Sequence, residues 1–145
     1  MKALGMTAFA AGLLIVLTAR AGEDEAKKDK AALEGTWKVI SFETAKGKDS
    51  DLEGATLEFS KDAKSLIFTH KDQTKKGTVK INAAAKPKEM DIKPNDEDKT
   101  FEAIYHVEKD KLKLCLTPEP GDGRPGEFAV KEGKSFILIL LERAK

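Results

Sequence analysis

Leu33-Glu34-Gly35-Thr36-Trp37-Lys38-Val39 holds the only tryptophan of a 145-residue chain and marks the point where the sequence takes up a period of two. From Gly35 onward, Trp37, Val39 and Ser41 fall on one face and Ile40 and Phe42 on the other. Such alternation reads as a half-buried strand, because successive side chains of an extended chain point to opposite faces. The same period recurs downstream. Leu57 and Phe59, then Leu66, Phe68 and His70, then Val79 and Ile81, then Met90 and Ile92 each alternate with polar neighbours. Phe101, Ala103, Tyr105 and Val107 run into Lys109-Asp110 and return as Leu112, Leu114 and Leu116, which predicts a β-hairpin. The last segment, Phe136 to Leu141, is apolar on both faces, so it is either central or covered from outside the sheet.

Eight strands joined mostly by short turns, with no helical pattern long enough for a crossover, imply an all-β antiparallel meander. Closing it into an eight-stranded up-and-down barrel removes the exposed edges of an open sheet; a two-sheet sandwich is the alternative. The longest irregular stretch, residues 118–133, is rich in Pro and Gly, and a brief strand is expected within it at Glu127 to Val130.

Lys2 followed by an apolar run from Ala3 to Leu17 and by Ala19-Arg20-Ala21 has the form of a secretory signal peptide with a small-x-small cleavage site. The run is shorter than the ~20 residues of a spanning helix, so no stable membrane insertion is expected after cleavage. The chain then divides into a signal helix at 1–21, a charged tether at 22–32 and a barrel domain at 33–145, with Lys30 to Leu33 adding a helical turn that brings Leu33 to the barrel floor. Export places the product in the periplasm or outside the cell. Cleavage strips Lys2 and Arg20 but no acid, so the 26 basic residues fall to 24 against 25 acidic ones. Interleaved charge near neutrality offers no basic stripe for nucleic acid and no polybasic segment for anionic lipid. Cys115 stands alone, so no intramolecular disulfide forms, and it reads as a small buried hydrophobe.

Gly35-Thr36-Trp37-Lys38-Val39, Lys86-Pro87-Lys88-Glu89-Met90-Asp91-Ile92, Tyr105 with Leu112-Lys113-Leu114-Cys115-Leu116, and Arg124-Pro125-Gly126-Glu127-Phe128 resemble, in order and spacing, an uncharacterised secreted domain family of planctomycete bacteria. The likeness spans about Leu33 to Arg143. It implies a lipocalin-like, calycin-type barrel behind a signal peptide and brings no catalytic residues with it. The Gly-x-Trp step and the terminal Leu140-Leu141-Glu142-Arg143 also look like the pair that closes lipocalin-type barrels. True lipocalins are less similar: Glu108-Lys109-Asp110 lacks their Thr-Asp-Tyr pattern.

Gly35, Trp37 and Arg143 are expected to do structural work, with the guanidinium laid on the indole and donating to nearby carbonyls. Placing Trp37 inside sets the inward phase of every strand and gives an apolar lumen. An interior of eight strands is just wide enough to be filled or to hold one small ligand, and this many large inward residues favours filling. In an open lumen Ser41, His70 and Tyr105 would be the candidate ligand-binding groups. His70 and His106 lie far apart with no second ligand at metal spacing, and no nucleophile elbow or phosphate-cradling loop is present, so no metal, cofactor or catalytic residue is expected. Asn95-Asp96-Glu97-Asp98 and Asp49-Ser50-Asp51 read as solvated turns, since neither has the glycine and distal glutamate of an EF-hand. The leading expectation is a non-enzymatic binder of a small apolar or amphipathic molecule. The alternative is an envelope protein-interaction domain with a filled barrel whose contact surface is the 118–133 loop. An enzyme using Tyr105 or His70 as acid or base stands third.

Overall fold

The computed structural model describes residues 23–144. The expected signal segment, residues 1–21, lies outside them. A helix at residues 23–33, α1, precedes nine strands: β1 Gly35–Thr44, β2 Gly47–Lys48, β3 Thr56–Phe59, β4 Ser65–His70, β5 Gln73–Asn82, β6 Glu89–Pro94, β7 Phe101–Glu108, β8 Lys111–Thr117 and β9 Ile137–Arg143. β1 and β3 to β9 pair antiparallel in chain order, and β1 closes on β9, giving an eight-stranded barrel. β2 is a two-residue return that pairs only with the end of β1.

The alternation of the sequence becomes the inside and outside of this wall. Trp37, Leu57, Phe59, Leu66, Val79, Met90, Ile92, Tyr105, Leu112 and Leu114 are all buried in one cluster, as their phase requires. β1 contains the exception. Val39 pairs with Leu141 but Ser41 pairs with Leu140, so Ile40 is an extra residue and the strand is bulged. A bulge shifts every following side chain to the other face. Phe42 therefore packs on the core, Ser41 takes the outer phase, and Ile40 is left 39% exposed.

The floor of the barrel lies where β1 begins and β9 ends. Residues expected as a solvated tether are helical instead: α1 runs over 23–33 and lies across the floor, with Asp29 and Leu33 buried. The last turn of a helix leaves carbonyls without partners. Here Trp37 Nε1 donates to the Leu33 carbonyl at 2.9 Å, while Arg143 Nη2 and Nη1 donate to the carbonyls of Ala32 and Glu34 at 2.6 and 2.9 Å. The same guanidinium stands 4.3 Å from the Trp37 ring centroid, so one cation caps the helix and covers the indole. Gly35 makes room for it. Its φ is +114°, and a Cβ there would sit 3.1 Å from Arg143 Nη1.

Outside the wall, residues 118–135 fold back over β7 to β9. Ile104, Cys115 and Phe136 form a second small cluster with Phe128 and Leu138, which explains why β9 is apolar on both faces. Arg124 pins the loop, donating to the carbonyls of Ala103 and Met90 at 2.7 and 3.3 Å and to Asp91 Oδ1 at 2.6 Å. Asp122 accepts from the Ser135 amide at 2.9 Å, and that bond holds its carboxyl below the usual range. Residues 127–130, expected as a brief strand, join no sheet; 127–129 are bends, with the Ala129 amide donating to the Glu127 carbonyl.

Candidate functional site

The lumen is not uniformly filled. Its lower half is packed solid by Trp37, Met90, Tyr105 and Leu112, each no more than 1% exposed. Its upper half encloses a cavity of about 330 Å³. The expectation of a filled interior fails there because Phe42, Phe68, Phe101 and Ile137 are only half-buried: they stand around the upper lumen without meeting across it. Val39, Leu57, Leu66, Ile92, Leu114, Leu116 and Ile139 complete an apolar lining.

The mouth is built by the connections at that end. Asp49 accepts from the Asp51 amide at 2.9 Å and so starts the short 3-10 turn Ser50–Leu52, which lays Leu52 over the cavity. Gly77 on β5 lets the end of β6 come close; a Cβ at this position would lie 2.8 Å from the Lys93 carbonyl oxygen. Pro94 and Glu97 reach the lining through the turn that follows, in which Glu97 N–H donates to the Pro94 carbonyl and Lys93 Nζ to the Glu97 carbonyl at 3.1 Å. Lys75 and Lys76 are the cations of the lining and Glu97 its one acid.

None of the three residues expected as polar lumen groups lines this cavity. Ser41 is turned to the outer phase by the bulge. His70 sits at the rim, its ring 6.4 Å from that of Phe68, with Nε2 against the Asp51 carbonyl. A carbonyl oxygen only accepts, so Nε2 carries the proton and His70 holds the Ser50–Leu52 turn. Tyr105 is at the opposite end. Its hydroxyl donates to Asp29 Oδ2 at 2.6 Å, and the same oxygen lies 2.9 Å from Lys88 Nζ, which is also 3.1 Å from Glu25. Burial, with the bond to Asp29 and the charges of Asp29 and Glu25, pushes the Tyr105 phenol far above its ordinary value. Burial alone would lower Lys88, but its bonds to Asp29 and Glu25 outweigh that and raise it. These groups are committed to closing the floor.

The remaining chemistry-bearing residues are spent structurally. Burial pushes the Cys115 thiol up, and its Sγ donates weakly to the Ala129 carbonyl at 3.7 Å. His106 is exposed on the outer face, 3.4 Å from Glu108. A depression of about 410 Å³ outside the wall, between Glu25, Lys86 to Lys88, His106 and Phe128, has Lys88 and Glu25 already paired. Among the described residues, no group of three or more His, Cys, Asp or Glu side chains is placed to hold a metal ion, and no helix is long and apolar enough to cross a membrane.

Sequence reasoning missed Phe42, Leu52, Lys75 and Glu97. The bulge hid Phe42, since nothing in Val39-Ile40-Ser41-Phe42 marks the extra residue. Lys75 was legible: it continues the phase of Gly77, Val79 and Ile81. Comparison with protein-family models, with curated proteins and with solved structures finds no match.

Proposed function

We propose that this domain is a binding module that holds one small apolar or amphipathic molecule in the upper lumen. The observation that carries the reading is the cavity itself, about 330 Å³ with an apolar lining and a mouth of a few charged groups. Ligand sites have this form, at the lower end of the usual range of roughly 300 to 1,000 Å³. We read it as a binder and not a catalyst because the best acid–base candidates are engaged elsewhere, Tyr105 with Asp29 and His70 with the Asp51 carbonyl. The form of the Lys2 to Ala21 segment supports export, with binding outside the cytoplasm. A protein-interaction role for the 118–133 loop is less favoured, because its Arg124 and Phe128 pack on the domain's own wall.

Native mass spectrometry of purified protein, followed by thermal-shift screening against a panel of lipids and apolar metabolites, tests the reading. A co-purified small molecule or a shift that scales with ligand concentration is expected. Bare protein that responds to nothing in the panel would overturn it.

A further inference from the structure

The chemical class of the ligand follows from one strand, if the lumen is the binding site. β5 presents Lys75, Gly77, Val79 and Ile81 on a single face. Val79 is in the core, Ile81 packs against it, and Gly77 lines the cavity, so this is the inward face. Lys75 pairs across the sheet with Phe68, itself part of the lining, and so stands at the top of the lumen on the inward phase. Among the described residues it makes no ion pair. A lysine in this position lays its methylenes on apolar surface and holds its ammonium at the water boundary. The neighbouring Lys76 borders the cavity too, but it alternates to the outer phase opposite Ile67, which leaves Lys75 as the inward cation. Glu97 lies in the turn after β6, where Lys93 donates to its carbonyl, and its carboxylate would repel an anion placed on that side.

We propose that the lumen takes an amphiphile with one anionic head group, its apolar tail among Leu57, Leu66, Phe68 and Leu114 and its head at Lys75. The β5 side of the mouth supplies attraction and the β6 side excludes a second negative charge. The tail provides most of the affinity by burial, and Lys75 selects the head.

Displacement of the neutral fluorophore N-phenyl-1-naphthylamine by dodecanoate, 1-dodecanol and dodecylammonium, at low ionic strength and neutral pH, reads both parts. Lys75→Gln should weaken dodecanoate by roughly threefold, the scale of a partly exposed ion pair, and leave dodecanol and the fluorophore unchanged. Lys75→Glu should weaken dodecanoate further and strengthen dodecylammonium, and added salt should erase both effects. Unchanged fluorophore binding also shows that the variants are folded. Equal changes for dodecanoate and dodecanol, or no change in either, would overturn the head-group assignment while leaving the lumen as a site. If the wild-type protein binds neither fluorophore nor any of the three amphiphiles, the lumen reading itself falls and this inference with it.

Discussion

The two ends of the barrel differ in how their polar groups are used. At the floor, a buried carboxylate, a phenol and an ammonium are tied to one another in Asp29, Tyr105 and Lys88, and the Arg143 guanidinium is tied to carbonyls at the end of the helix. At the mouth, Lys75 and Lys76 make no ion pair among the described residues, and they border a cavity lined by hydrocarbon. Buried polar groups are costly unless satisfied, so a fold that depends on its floor has to saturate it. An opening carries no such demand. The difference assigns stability to one end and leaves the other available to a ligand.

The sharpest way to break the floor is Trp37→Ala. It removes a fully buried indole, its bond to Leu33 and the surface on which Arg143 rests. A loss of about 3 to 5 kcal/mol is expected in equilibrium denaturation, a large share of a domain's stability. A loss under ~1 kcal/mol would show that the indole is not what holds the floor. Asp29→Ala comes next, at about 2 kcal/mol, because it leaves the Tyr105 hydroxyl buried without its acceptor. The helix should then detach locally while the barrel persists. Loss of the helical signal without loss of the cooperative sheet transition is the outcome to look for, by hydrogen exchange at residues 23–33.

Alkali should find the floor before the mouth. The pKa values of Tyr105 and Lys88 are both raised in the folded protein, so the folded state keeps protons that the unfolded chain releases. Stability is therefore level below the ordinary tyrosine value of about 10 and falls as pH rises through it. Tyr105→Phe should flatten that decline by about 1.4 kcal/mol per pH unit. Denaturation midpoints for wild type and variant measured across this range check the sign; parallel curves would mean that the phenol titrates normally.

Much of this division was legible. The period of two located the eight barrel strands and the inward phase. Trp37 and Arg143 could be paired because an indole at the start of the first strand and a guanidinium at the end of the last meet when the sheet closes. What escaped depended on long-range geometry. Charge in residues 22–32 reads as solvated until Asp29 is seen to meet Tyr105, 76 positions away. Ser41 was placed inside because alternation cannot reveal the extra residue at Ile40. The cavity is a matter of how far half-buried side chains reach across the lumen, and a pattern of apolar residues carries no such distance.

The smallest expected effect on stability gives the most direct test of the mouth. Ile139 lies on the inner face of β9, opposite Leu114 on one side and Phe42 on the other, and all three line the cavity. Substitution by tryptophan adds a ring where about 330 Å³ is open, so the usual penalty for overpacking is relieved by the space. Ile139→Trp should change stability by no more than ~1 kcal/mol and abolish binding of an apolar probe. Leu66→Phe, a smaller addition to the same lining, should weaken binding and serves where tryptophan proves too large. A folded protein with its lumen filled and its binding intact would move the ligand site out of the barrel. A filled lumen with binding lost would join the mouth to function as Trp37 joins the floor to stability.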